Sequence, residues 1–253
     1  MNFNILRFDS LESTNTEAAR QGRRGASEGL CVVAARQTKG RGRHGRTWIS
    51  EAGAGLYFSL LLRPKIDARF LPLITFAGAV AVFETLRKFD LSPDIKWAND
   101  VHVRGKKICG ILAETCETDF GLAVVLGIGI NLLQANFPDE LKETATSIEA
   151  ETGDAPEAEK LLETLTEFLS VYCGLLYEAD GAEKIRVEWT RRSSYAAGKK
   201  VRASLENRTI CGTTRGIEPD GALRVETENG DLEIVRAGEV ENLRENKKTK
   251  SKN

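Results

Sequence analysis

The sequence predicts an α+β protein: a strand-rich N-terminal part around one buried helix, followed by a small all-β module. Three observations predict it. Apolar runs of strand length recur between Asn2 and Leu133. The stretch Phe70 to Phe89 is apolar almost all round and long enough for about five helical turns. From Lys199 the texture changes, and short β-rich runs are divided by Glu206-Asn207, Pro219-Asp220-Gly221 and Asn229-Gly230, turn signals about ten residues apart.

Asn2 to Phe8 alternates apolar and polar residues and reads as an opening strand. Thr14 and Glu17 have capping-box spacing, so a short helix is expected to begin at Ser13 or Thr14 and stop near Gly22. Leu30 to Ala35 is a buried strand that delivers the chain into a basic loop. Gly55 to Leu62 is the next strand, closed by Pro64. After the buried helix come a short strand at Ile95 to Trp97 and a hairpin signal, VRGKK, leading into Ile108 to Cys116. Phe120 to Leu133 is nearly continuous apolar, an interior strand. Ala158, Leu161, Leu162, Leu165, Leu169, Tyr172 and Leu176 mark one face of an amphipathic helix, and a further helix is expected from about Ala182 to Trp189.

The chain has 253 residues, enough for a large domain and a small one. Expected boundaries are 1–195, 196–244 for the β module, and a disordered, apolar-free tail at 245–253. Lys+Arg (36) and Asp+Glu (37) nearly cancel, so any preference for anions is local. The five cysteines form no CxxC pair and sit mostly in apolar surroundings. With no signal segment and no apolar run read as long enough to span a bilayer, a cytoplasmic protein is expected. Two histidines, His44 and His102, remove most zinc sites and His-based triads.

The local charge lies in Gln37 to Trp48, QTKGRGRHGRTW. Gly29 to Ser50 holds Arg36, Lys39, Arg41, Arg43 and Arg46 but no acidic residue. Such a segment repels itself and is expected to be mobile alone, ordering around something negative. Its glycines let backbone amides approach an anion, and its guanidiniums offer forked donors to carboxylate or phosphate. Three readings stand open: a solvated loop, an RNA contact, and a phosphate or carboxylate clamp. The loop joins two core strands and ends in Trp48, which favours the clamp.

Other groups are ambiguous singly. Ser13-Thr14-Asn15 suits a helix cap. Lys96-Trp97-Ala98-Asn99-Asp100 puts a cation, an aromatic, an amide and a carboxylate beside a strand end. Lys107 stands at the entrance of an apolar strand, where an ammonium must be paired or aimed at an anionic ligand. Gly127 and Gly129 inside a buried strand suggest close approach by another backbone or a ligand, and Asn131 follows them.

Their order is specific. STN, GRGRHGRTW, KWAND, KKICGILAE and GIGINL follow one another as in the biotin protein ligases, and the chain resembles that family along most of its length. Two departures matter. Ala98 stands where the family motif has proline, loosening the backbone but keeping Lys96, Asn99 and Asp100. Only 12 residues precede the STN motif, too few for the helix-turn-helix of the regulatory members, so no DNA partner is expected. The resemblance implies a catalytic domain related to class II aminoacyl-tRNA synthetases and lipoate ligases, a mixed sheet with helices on one side, then a small SH3-like barrel.

It also implies ATP-dependent biotinylation of a lysine on a biotin carboxyl carrier domain, through biotinyl-5′-AMP. On this resemblance Ser13, Thr14, Asn15 and Gln37 hold the ureido end of biotin. Gly40, Arg41, Gly42 and Arg43 wrap the biotin carboxylate and the phosphate, and Lys107 bridges carboxylate and α-phosphate. Lys107 and Arg43 are the expected catalytic pair. Arg43, Arg46, Trp48, Lys96, Asn99, Asp100, Lys107 and Asn131 surround ATP. Mg²⁺ is expected on phosphate oxygens and water, without a protein metal site. A homodimer is compatible with the family, and no membrane partner is expected. The rivals are a lipoate or octanoate ligase or transferase of the same fold and, from another class, an RNA-binding module using the GRGRHGR loop.

Overall fold

The computed structural model describes residues 1–134 and 137–242; the expected tail at 245–253 lies outside them. Seven strands, β1 (Asn4–Leu11), β2 (Leu30–Gln37), β3 (Gly55–Leu62), β4 (Pro93–Lys96), β5 (Asp100–Val103), β6 (Lys106–Thr118) and β7 (Gly121–Asn131), form one sheet in the order β1-β2-β3-β7-β6-β5-β4. It is mixed: β1 runs parallel to β2, and the other pairings are antiparallel. The expected hairpin at VRGKK turns at Arg104 (φ 50°) and Gly105 (φ 80°), and its first arm is the separate strand β5, too short to show a period of its own.

Alternation along the strands assigns the two faces. Leu60 and Leu62 of β3, with Leu126, Ile128 and Ile130 of β7, face α2 (Leu73–Lys88), α4 (Ala158–Gly174) and α5 (Gly181–Arg191). Leu61 and Val125 face the other way, against Ala18 of α1 (Thr14–Arg23). Helices therefore cover both faces, not the one expected. The sheet is sandwiched because β3 and β7 are apolar on both sides.

The helix α2 is buried nearly all round, with Leu73, Ile74, Phe76 and Leu86 among its enclosed residues. Each such side chain contributes about 1.5–3 kcal/mol of burial. Residues Ala68–Lys88 are by length and hydropathy sufficient to cross a membrane, contrary to the sequence reading, but most of that stretch is buried inside the protein. Phe76 stacks on Trp189 of α5 with ring centroids 4.5 Å apart, closing the core layer.

The expected capping box does not form. Ser13 occupies the N-cap position of α1 without a side-chain capping bond, and Glu17 accepts instead from Arg20 and Gln21. A five-residue helix, α3 (Ile148–Thr152), is too short for its periodicity to register in sequence.

The remaining strands, β8 (Ala197–Ser204), β9 (Thr209–Ile217), β10 (Leu223–Thr227), β11 (Leu232–Val235) and β12 (Glu239–Asn242), form an antiparallel sheet in the order β11-β10-β9-β8-β12. It packs on the main sheet's helix layer: Trp97 Nε1 donates to the Gly221 carbonyl at 2.9 Å, and Gly221 lies over Leu73 and Phe76.

Candidate active site

The site forms on the α1 face of the main sheet, where the register lines up two rows of residues. One row crosses five strands: Tyr57, Gly129, Gly110, Asp100 and Lys96 are successive cross-strand partners. The next row is Ser59, Gly127 and Leu112. The glycines thin the sheet surface. A Cβ on Gly129 would lie 2.5 Å from the Trp48 ring and one on Gly110 2.9 Å from it, so the indole lies in a trough that glycine alone leaves open. A Cβ on Gly127 would meet Asn15 Oδ1 at 2.2 Å. The close approach read at Gly127 and Gly129 is thus made by the chain's own side chains.

The arginine loop is a hairpin, not an irregular loop. Arg41 bridges Thr47, the Gly42 N–H donates to the Arg46 carbonyl at 2.7 Å, and the Trp48 N–H donates to the Gly40 carbonyl at 2.9 Å. His44 (φ 55°) and Gly45 (φ 73°) form its tip, both in the left-handed region that a type I′ turn requires. Side chains from elsewhere relieve the expected charge repulsion. Arg41 donates to Glu114 of β6 at 2.7 Å, and Arg46 makes a two-pronged ion pair with Glu239 of β12. Arg43 differs: it is half-buried, and its one side-chain hydrogen bond among the described residues goes to the neutral Asn99 Oδ1, at 3.0 Å. Burial pushes its pKa down, while Asp100 and Glu239 push the other way.

At the α1 end, polar groups are tightly bonded. Gln37 Oε1 accepts from the Thr14 N–H (2.8 Å) and the Thr14 hydroxyl (3.1 Å), while its Nε2 donates to Ser50 Oγ at 2.8 Å. Asn15 Nδ2 donates to the Leu112 carbonyl and to Glu114 Oε2, and Asn15 Oδ1 accepts from Ser59 at 2.6 Å. Counting donors and lone pairs, one Gln37 N–H and one Asn15 lone pair remain for a ligand. Ser13, freed from capping, also lines the cavity.

At the other end Lys107 Nζ lies 2.7 Å from Asp100 Oδ1 and 5.4 Å from the centre of the Trp48 ring. The carboxylate and the ring face hold the ammonium on the cavity side. His102, on the same strand as Asp100, is pushed down to about 4 by burial, aided by Lys96 and Lys107 and opposed by Asp100. Asn131 is buried and donates from Nδ2 to the Thr146 carbonyl at 2.9 Å.

Ser13, Thr14, Asn15, Gln37, Arg41, Gly42, Arg43, Arg46, Trp48, Lys96, Asn99, Asp100, Lys107 and Asn131 all line one cavity of about 640 Å³. Gly40 lines the adjoining cavity of about 1050 Å³. A Cβ there would lie 2.2 Å from the Trp48 carbonyl oxygen, so the hairpin packs this closely only with glycine at that position. Sequence reasoning missed Ser50, Ser59, Glu114 and Glu239. Ser59 was detectable as the one polar residue in GLYFSLLL; Glu239 carries no local signal.

Fold and cavity together define a protein of the biotin and lipoate ligase class. Residues 7–131 match the model of the Biotin/lipoate A/B protein ligase family, and residues 197–241 match that of the Biotin protein ligase C terminal domain. The chain is 38% identical over 244 residues to the Bifunctional ligase/repressor BirA of Bacillus subtilis, covering 94% of this chain and 74% of that protein. It is 34% identical to the Biotin--[acetyl-CoA-carboxylase] ligase of Paracoccus denitrificans, covering 90% and 96%. The structure of the Aquifex aeolicus biotin protein ligase in complex with biotin and ATP superposes with a TM-score of 0.82 at 30% identity, covering 96% of this chain and 99% of that one. The chain belongs to the biotin protein ligase family.

Proposed function

We propose that the protein biotinylates one lysine of a biotin carboxyl carrier domain of a carboxylase at the expense of ATP, through biotinyl-5′-AMP. The observation that carries this reading is Arg43: a half-buried guanidinium whose side-chain hydrogen bond goes to the neutral Asn99, in the same cavity as the Lys107–Asp100 pair. A desolvated cation of this kind is stabilised by an anion. The polar groups of Ser13, Thr14, Asn15 and Gln37 suit the ureido ring of biotin at the α1 end, and Trp48, Lys96, Asn99, Asp100 and Asn131 suit the nucleotide.

In the first step a biotin carboxylate oxygen attacks the α-phosphorus, and the bond from that phosphorus to the bridging β-phosphate oxygen breaks, releasing pyrophosphate. In the second, the carrier lysine nitrogen attacks the acyl carbon, AMP leaves with the bonding pair, and the amine loses a proton. Neither step needs a protein nucleophile. The protein's work is to bring two anions together and to stabilise charge on phosphoryl oxygens. Lys107 and Arg43 carry that charge, Gly40 and Gly42 let the hairpin backbone close on it, and Arg41 and Arg46 flank it. The hairpin then shields the anhydride from water.

Mg²⁺ enters with ATP. In this reading the ion is carried on phosphate oxygens and water. Residues 1–195 hold both substrates in this reading, and residues 196–244 close the site through Glu239. Four of the five free cysteines are buried, which fits a reducing compartment. The pairing of Arg41 and Arg46 with carboxylates of the same chain speaks against an RNA-binding module.

Mass spectrometry of a carrier domain after incubation with the protein, ATP and biotin tests the reading. It expects one biotinyl group on one lysine; an unmodified carrier alongside consumed ATP would overturn it.

A further inference from the structure

The sheet carries Asn131 and Lys107 to the nucleotide end of the cavity, but neither is held there by the sheet alone. Both depend on one short segment, residues 144–146. The Lys107 N–H donates to the Thr144 carbonyl at 2.8 Å, and the Thr146 N–H donates to the Lys107 carbonyl at 2.9 Å, so Lys107 pairs with this segment as with an added parallel strand. The Asn131 amide donates to the Thr146 carbonyl at 2.9 Å. Thr146 is thus the common support of a cation and an amide on different strands.

Thr146 is itself anchored from behind. Its hydroxyl donates to Glu151 Oε1 at 2.7 Å. Glu151 lies on α3, with 8% side-chain exposure, and its second oxygen lies 3.5 Å from Arg104 Nε in the β5–β6 turn. A carboxylate is costly to bury, and one with so little water is kept for what it holds. Ser147 caps α3 by accepting from the Ala150 N–H at 3.2 Å, and the Glu149 N–H donates to the Leu132 carbonyl at 3.0 Å, so α3 is fixed to the end of β7.

We propose that Glu151 is a positioning residue for the nucleotide half of the site, acting through the Thr146 hydroxyl on Asn131 and Lys107. Glu151 and Thr146 touch no reacting atom. They set where an amide and an ammonium stand, and a displacement of about 1 Å in such groups costs transition-state and nucleotide contacts together. The proposal rests on the reading that Asn131 and Lys107 face ATP.

Steady-state adenylation by the full chain, followed by pyrophosphate release, tests it with Thr146→Val, Glu151→Ala, the double variant and Thr146→Ser. The first two are expected to raise KM for ATP roughly tenfold, the effect of one lost buried hydrogen bond, with biotin KM little changed. The double variant is expected to be no worse than either single one, because both cut the same link. Thr146→Ser restores the hydroxyl and is expected to bring KM for ATP back towards the parent value, which a loss of packing volume would not do. Asn131→Ala separates the positioning role from the placement of ATP. If it raises KM for ATP while Thr146→Val only lowers the melting temperature, the positioning role is overturned and the nucleotide reading survives. If Asn131→Ala itself leaves KM for ATP unmoved, both fall.

Discussion

Gly110 and Gly129 face each other across neighbouring strands and together make the trough in which the Trp48 indole lies. This relationship ties the end of the arginine hairpin to the floor of the sheet, and it is sterically strict. Gly129→Ala would place a methyl group 2.5 Å from the indole. Overpacking of this kind costs about 1–3 kcal/mol of stability. It is also expected to expel Trp48 and so to raise KM for ATP, with a shift in tryptophan emission. Unaltered emission and kinetics would show that the trough does not hold the ring.

Lys107 is expected to carry the developing charge of the first step. Lys107→Ala should slow adenylation about a hundredfold or more, within the usual range for removing one such donor. The protein should stay folded, as judged by circular dichroism, because Lys107 is only partly buried and its loss leaves Asp100 in the field of Arg43 and Arg46. Pyrophosphate release near the parent rate would remove Lys107 from the mechanism.

The arms of the hairpin from Gly40 to Arg46 are held by two carboxylates, Glu114 on Arg41 and Glu239 on Arg46, both partly exposed to water. Such pairs are worth at most about 1 kcal/mol each, so the hairpin is expected to open readily when empty and to close over biotinyl-5′-AMP. Trypsin should cut after Arg41, Arg43 or Arg46 much more slowly with the adenylate bound. Equal cleavage with and without it would contradict the closure.

His102 gives the fold an acid limb. Its imidazole titrates near 4 in the folded protein against an ordinary 6.5. Above pH 6.5 both states are neutral and the group costs nothing. As pH falls from 6.5 towards 4 the unfolded chain takes up a proton that the folded one refuses, and stability drops. The full loss is on the order of 3 kcal/mol. Glu17, held below the usual carboxylate range by Arg20, acts in the same direction. Urea midpoints measured from pH 7 to pH 4 should fall for the parent and fall less for His102→Gln. Parallel curves would exclude His102 as a source.

Much of this site was legible because its residues cluster in short motifs. Lys96, Asn99 and Asp100 lie within five positions, and a reader of the chain meets them together. Gly127 and Gly129 stood out as gaps in an apolar strand, though what fills them, Asn15 and Trp48, comes from far away in sequence. Glu239 and Thr146 were not legible. Each reaches the site through tertiary packing, and neither sits in an unusual local pattern. The capping box at Thr14 and Glu17 fails because Thr14 already lies inside the helix, where its N–H and hydroxyl donate to Gln37 of β2 and the Glu17 N–H donates to the Ser13 carbonyl. The main sheet's order and the placement of α1 on its own face likewise depend on pairings that no window of sequence displays.

The central claim is that this cavity joins the biotin carboxylate to the α-phosphate of ATP. The most direct measurement is pyrophosphate release on mixing the protein with ATP and biotin, with lipoate and octanoate as parallel substrates. The expected result is release that requires biotin and is absent with the other two acids. Release driven by lipoate or octanoate, or none with biotin, would contradict it.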